Sequence, residues 1–240
     1  TSGVGGIDSL TARITGSDLI SADVKLTADQ TTPVETRTFD VALNVPNYAK
    51  LATVLTLEPE PVGAVAFKGN LSFTDESGTI DGQLKFGEAE INGHLSAKPD
   101  GNRPLITGSI STPILYLDDA RRMVQIALAV DALRDAKEAE SATAAPKTSE
   151  YQIPSPHFDL EIHADKVDGD VSGVSGLSGR LLYDEGIATA QSVVLTFQKG
   201  HFNLDGQMNV RAAERPFSAK GRVDGWPLGD VFRELEIDLP

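Results

Sequence analysis

Apolar and polar residues alternate through most of this chain, and the alternation is cleanest from Val65 to Leu95. There Val65, Phe67, Leu71 and Phe73 fall on every second position, then Ile80, Leu84 and Phe86, then Ile91 and Leu95. A period of two is the signature of strands with one apolar face. Each strand also repeats a phrase of apolar, any residue, glycine, any residue, apolar: Phe67–Leu71, Ile80–Leu84 and Ile91–Leu95. The phrase returns as Ile106–Ile110, Leu177–Leu181 and Leu204–Met208. Glycine inside a strand costs entropy and packs nothing, so its recurrence on the apolar face implies a geometric role. Either the sheet curls there or an apolar group approaches the backbone.

The same period predicts strands within residues 7–45, over about 62–74, 78–87, 89–98 and 104–112, and again between Ile153 and Val223, roughly twelve in all. Helical spacing interrupts them in three places. Pro46 stops a strand before Tyr48, Leu51 and Val54, which predict a short helix near 47–55. Asp118 and Asp119 place acids at the positive end of a longer helix near 118–138, with Met123, Ile126, Ala127, Val130 and Leu133 as its apolar stripe. A last short helix is expected near 228–235. Ser141–Ser149 is small and polar and reads as a flexible linker. Adding 178 to Phe39, Val45 and Tyr48 lands on Phe217, Val223 and Trp226, so the second part of the chain echoes the first. The expected architecture is mainly β: an extended, curved antiparallel sheet forming an open apolar groove, folded over like a taco. It has a first block at 1–117, a helix and linker at 118–152 and a second block at 153–240, together one continuous domain.

Composition narrows the function. The chain has 240 residues and a formal charge of −14, which disfavours a nucleic-acid backbone as partner. It has no Cys, so disulfides and thiol chemistry are excluded. No apolar run approaches the roughly 18 residues of a membrane-spanning helix. The opening Thr1-Ser-Gly-Val-Gly-Gly resembles neither a signal peptide nor a natural start, which suggests a piece of a longer chain whose anchor lies elsewhere.

Chemistry-bearing residues are present without a chemical arrangement. His157, Asp159, Glu161, His163 and Asp165 share one strand face, where His and Asp two apart are spaced for a shared metal. Phe158, Leu160 and Ile162 alternate with them as a core stripe, so a solvated outer face is the favoured reading. Asp165–Asp170 has acids in the manner of a calcium loop but lacks its ligand spacing and distal Glu, and reads as a turn. No nucleophile elbow, zinc helix or phosphate loop occurs. No catalytic residue, metal or cofactor is expected.

The ordered set Gly176–Leu181, Asp184–Ile187, Val193–Gly206 and Val223–Val231, with Val45–Leu51 ahead of the Val65–Leu95 sheet, resembles the AsmA family. The family comprises bacterial envelope proteins related to TamB and to bridge-like lipid-transfer proteins. The resemblance covers most of 36–240, least at 118–150. It implies a segment of a periplasmic protein, anchored to the inner membrane, that carries phospholipid acyl chains in a β-groove between the membranes and serves outer-membrane assembly. The groove-lining residues expected are Phe67, Leu71, Phe73, Ile80, Leu84, Phe86, Val193, Leu195, Phe197, Phe202, Leu204 and Met208. The alternative from the residues themselves is a structural or adhesive β-repeat domain with a dry, packed core.

Overall fold

The computed structural model describes residues 9–16, 19–29, 36–54, 62–101, 103–126, 129, 157–169, 173–197, 200–212 and 214–225. Its strands are β1 (Ser9–Gly16), β2 (Ile20–Asp29), β3 (Thr36–Val45), β4 (Val65–Phe73), β5 (Gly78–Phe86) and β6 (Ala89–Asp100). They continue as β7 (Arg103–Tyr116), β8 (His157–Asp168), β9 (Val174–Asp184), β10 (Ile187–Phe197), β11 (Gly200–Asn209) and β12 (Phe217–Asp224). All twelve form one sheet in chain order, β1 to β12. β1 and β12 do not pair, so the curved sheet stays unclosed. The mainly β, antiparallel groove architecture read from the alternation is the one found.

One junction departs from antiparallel pairing. β7 and β8 run parallel, with Leu105 opposite His157 and Tyr116 opposite Asp168. Parallel neighbours need a crossover, and the chain supplies it through the long segment between them. Pro113 has no N–H to give the ladder, and no pair forms between Pro113 and Asp165. The two blocks thus share a single sheet.

Two helices pack onto one end of the strands. Helix α1 (Tyr48–Val54) begins where Pro46 ends β3; the Lys50 N–H donates to Asn47 Oδ1 at 3.0 Å, capping its first turn. Tyr48, Ala52, Val62 and Phe86 are buried together, with Val65, Leu84, Met123 and Ile126 against them. Met123 and Ile126 come from a second helix, α2, described over 117–126. Asp119 fixes that helix to the β5–β6 turn. Its carboxylate is 7% exposed, accepts the Glu88 N–H at 2.9 Å and pairs with Arg122 at 3.1 Å. Gly87 has φ +60 in that turn, and a Cβ there would sit 2.7 Å from the Asp119 oxygens. A second cluster buries Val167, Val174 and Phe197 with Leu115, Leu117, Leu177, Leu195 and Phe202. Val130 and Leu133, the linker 141–149 and the helix expected at 228–235 lie outside the described residues. None of the described helices is long and apolar enough to cross a membrane.

Candidate functional site: the apolar face

Register converts the alternation into rows that cross the whole sheet. The middle row runs Ala12, Val24, Val41, Gly69, Gly82, Gly93 on β1–β6. It continues Ile110, Ile162, Gly179 on β7–β9 and Val193, Leu204, Gly221 on β10–β12. The next row passes Phe39, Leu71, Ile80, Leu95, Gly108, Leu160, Leu181, Ala190, Gly206 and Ala219. Neither row contains a charged residue. Twelve strands about 4.8 Å apart make this face about 50 Å long.

Among the described residues, a second layer packs on this face only around Phe86 and around Phe197. Among its large side chains Phe73 is 43% exposed, Met208 39%, Leu181 38% and Phe217 76%. Soluble monomers rarely expose contiguous apolar patches beyond a few hundred Å², and larger ones mark contact with a ligand, partner or membrane.

The opposite face is polar and matched in charge across strands. Arg13 Nε donates to Asp23 at 2.5 Å, His94 pairs with Asp81, and Gln83 donates to Asn92 at 3.3 Å. Arg180 binds Asp159 through two nitrogens, and this hydrogen bonding holds the Asp159 carboxyl below the usual carboxylate range. At the β6–β7 and β9–β10 turns, Arg103 pairs with Asp184 and lowers its pKa in the same way. The acids and histidines of β8 are partnered singly: His157 with Asp100 at 3.1 Å, His163 with Asp165 at 3.0 Å. Among the described residues no three His, Asp or Glu side chains are placed to hold a metal ion. Two depressions of about 490 and 480 Å³ open on this polar face. The first is bordered by Asp23, Lys25, Asp40, Lys68 and Asp81, the second by Ser109, Ser111, Glu161, His163 and Arg180.

All twelve residues read as groove-lining from sequence lie on the apolar face. Phe67 stands opposite Leu84, Leu71 opposite Ile80, and Phe86 opposite Val65. Val193 stands opposite Leu204, Leu195 opposite Phe202, and Met208 opposite Ala188. Their surroundings differ. Phe86, Phe197 and Val193 are buried, the first two inside the packed clusters, and Leu84, Leu195 and Phe202 pack against those clusters. Phe67, Leu71, Ile80 and Leu204 are half-buried, and Phe73 and Met208 are exposed.

At two of the glycines an apolar group approaches the backbone, one of the two roles their repetition implies. A Cβ on Gly82 would lie 2.7 Å from Phe67 Cε2, and one on Gly221 2.7 Å from Phe202 Cζ, so aromatic rings rest on the glycine backbone. On β10 an extra residue bulges between Ala190 and Val193; Ser192 takes φ +49 and its N–H donates to Asp205 at 2.7 Å. That bulge restores Val193 to the apolar face after the polar pair Gln191 and Ser192. The alternation hides it because a bulge adds one residue without any composition of its own. No family model, curated protein or solved structure matches this chain.

Proposed function

We propose that this chain is a lipid-carrying segment, holding acyl chains on its uncovered apolar face without converting them. The observation that carries the reading is the pair of uncharged rows, one crossing all twelve strands and the other β3 to β12, with Leu181 exposed in the second and Phe73, Met208 and Phe217 exposed beside it. An alkyl chain lying on such a face gains about 0.8 kcal/mol for each methylene taken from water, so a two-tailed lipid needs no specific polar anchor. The polar reverse face keeps the sheet in water while the other face is occupied. The resemblance to AsmA proteins supports a periplasmic setting for this reading, between inner and outer membranes, with attachment to the inner membrane by a segment outside these residues. The competing reading, a dry structural repeat domain, draws on the packed clusters around Phe86 and Phe197.

Native mass spectrometry of protein purified from bacterial membranes separates the two. Co-purifying phospholipid is the expected result. Lipid-free protein that also fails to take up a fluorescent fatty acid overturns the carrier reading in favour of the structural domain.

A further inference from the structure

Helix α2 has an anchored end and a marginal one. Its first residue, Leu117, packs against the Val167–Val174–Phe197 cluster. Leu117 also lies over Gly169, where a built Cβ would stand 2.9 Å from the Leu117 Cβ, so only glycine leaves room for it. At the other end Met123 and Ile126 are half-buried, at the margin of the Phe86 cluster. The buried members of that cluster, Tyr48, Ala52, Val62 and Phe86, include no residue of α2. Between the two ends stands Asp119. Its carboxylate makes one bond to the sheet, accepting the Glu88 N–H at 2.9 Å, while its other partner, Arg122, belongs to α2 itself. Burying a carboxylate costs desolvation that an apolar side chain would avoid, so Asp119 fixes where the helix sits more than it adds net stability.

Chain length permits the helix to leave its seat. β7 ends at Tyr116 beside Asp168, and β8 begins at His157 beside Leu105. The return covers the strand length from Leu105 to Tyr116, about 36 Å, whereas residues 127–156 alone can reach about 100 Å. Both strands can therefore stay paired while α2 turns about Leu117. Its departure would bare part of the apolar face. Met123 and Ile126 share the margin of the Phe86 cluster with Val65 and Leu84. Leu84 stands between Phe67 and Ile91, and Val65 between Val45 and Phe86. The uncovered rows would then run on toward α1, with Tyr48, Ala52 and Val62 still over Phe86.

We infer that α2 is a displaceable strap on the packed end of the apolar face. Asp119 holds it down in the lipid-free protein, and an acyl chain entering along Leu84 and Val65 takes the place of Met123 and Ile126 while the helix pivots about Leu117. This rests on the carrier reading above and adds how that face is regulated: part of it is occupied by the chain's own helix until lipid arrives.

The test is titration of the whole chain with a fluorescent fatty acid, with hydrogen exchange over 117–126 measured in its absence and at saturation. In the wild type, saturation is expected to speed exchange over 117–126 and to leave β4 and β5 protected. Asp119→Ala is expected to tighten binding about fivefold or more, because the binding-competent state no longer has to be released from its latch. Val124→Ala, on the exposed side of α2, is expected to bind as the wild type does. If Asp119→Ala does not fold, Asp119→Asn replaces it, with a smaller gain in the same direction. Unchanged or slower exchange over 117–126 in the loaded wild type overturns the inference. So does an Asp119 variant whose α2 exchanges faster and yet binds no tighter than the wild type. Either result leaves the carrier reading standing; absence of uptake by both proteins removes both.

Discussion

The two long rims of the sheet come from opposite ends of the same strands, yet one is packed and the other bare. At the first rim Phe86 lies opposite Val65 and Ala89 and is 5% exposed, beneath α1 and α2. At the other, Phe217 ends a row with Met208 and is 76% exposed. Both phenylalanines obey the same period of two. Alternation therefore decides which face is apolar, and elements from elsewhere in the chain decide which part of that face is dry. The packed rim gives the sheet the stability that a single open layer lacks; on the proposed carrier reading an apolar ligand enters at the bare rim.

Substitutions that treat the rims as equivalent break this comparison, and the largest contrast is expected for charge. Leu195 sits against the Val167–Val174–Phe197 cluster, so Leu195→Arg buries an unpaired cation there and is expected to cost several kcal/mol in urea unfolding. Met208→Arg projects from the bare rim and is expected to stay within about 1 kcal/mol of wild type. Equal losses would mean the bare rim is covered in solution. Truncation gives the next contrast: Phe86→Ala is expected to lose about 3–5 kcal/mol, and Phe217→Ala about 0.5 kcal/mol or less.

Asp119→Ala should cost about 1–3 kcal/mol, because it leaves the Glu88 N–H and Arg122 without their buried acceptor. Hydrogen exchange at residues 117–126 is expected to rise with it, showing α2 loosened from the β5–β6 turn. An unchanged exchange rate there would deny Asp119 its docking role.

The smallest effect expected is on pH dependence. Asp159 has a lowered pKa in the folded state because Arg180 hydrogen-bonds its carboxylate. Its stabilisation is thus complete above the ordinary Asp value, about 3.9, and disappears as pH falls through the lowered folded value. Arg180→Gln should lose a little stability at neutral pH and show a shallower decline below about pH 4. Parallel acid-unfolding curves for the two proteins would contradict this assignment.

The strands were legible because their side chains advertise a face. Phe39–Val45 and Val65–Phe86 showed their apolar faces through spacing alone, whereas the pairing of β3 with β4 across α1 did not follow from it. The parallel β7–β8 junction was not legible, since Ile106–Ile110 and Phe158–Ile162 would alternate identically in either direction. Nor was the division between packed and bare positions. It depends on Tyr48 and Met123 reaching Phe86 across some forty residues of sequence on either side. The glycine phrase pointed to close approach without saying what approaches; over Gly82 and Gly221 it is a phenylalanine of the same sheet.

The central claim, that acyl chains lie on the open apolar face, is tested most directly by irradiating the folded protein with a photoactivatable fatty acid and mapping the attachment sites by mass spectrometry. The account predicts labels on Leu71, Ile80, Leu95 and their neighbours in the uncovered rows, and none on Phe86. Labels confined to the polar face, at Lys68, Asp81 or His94, or no attachment at all, would contradict it.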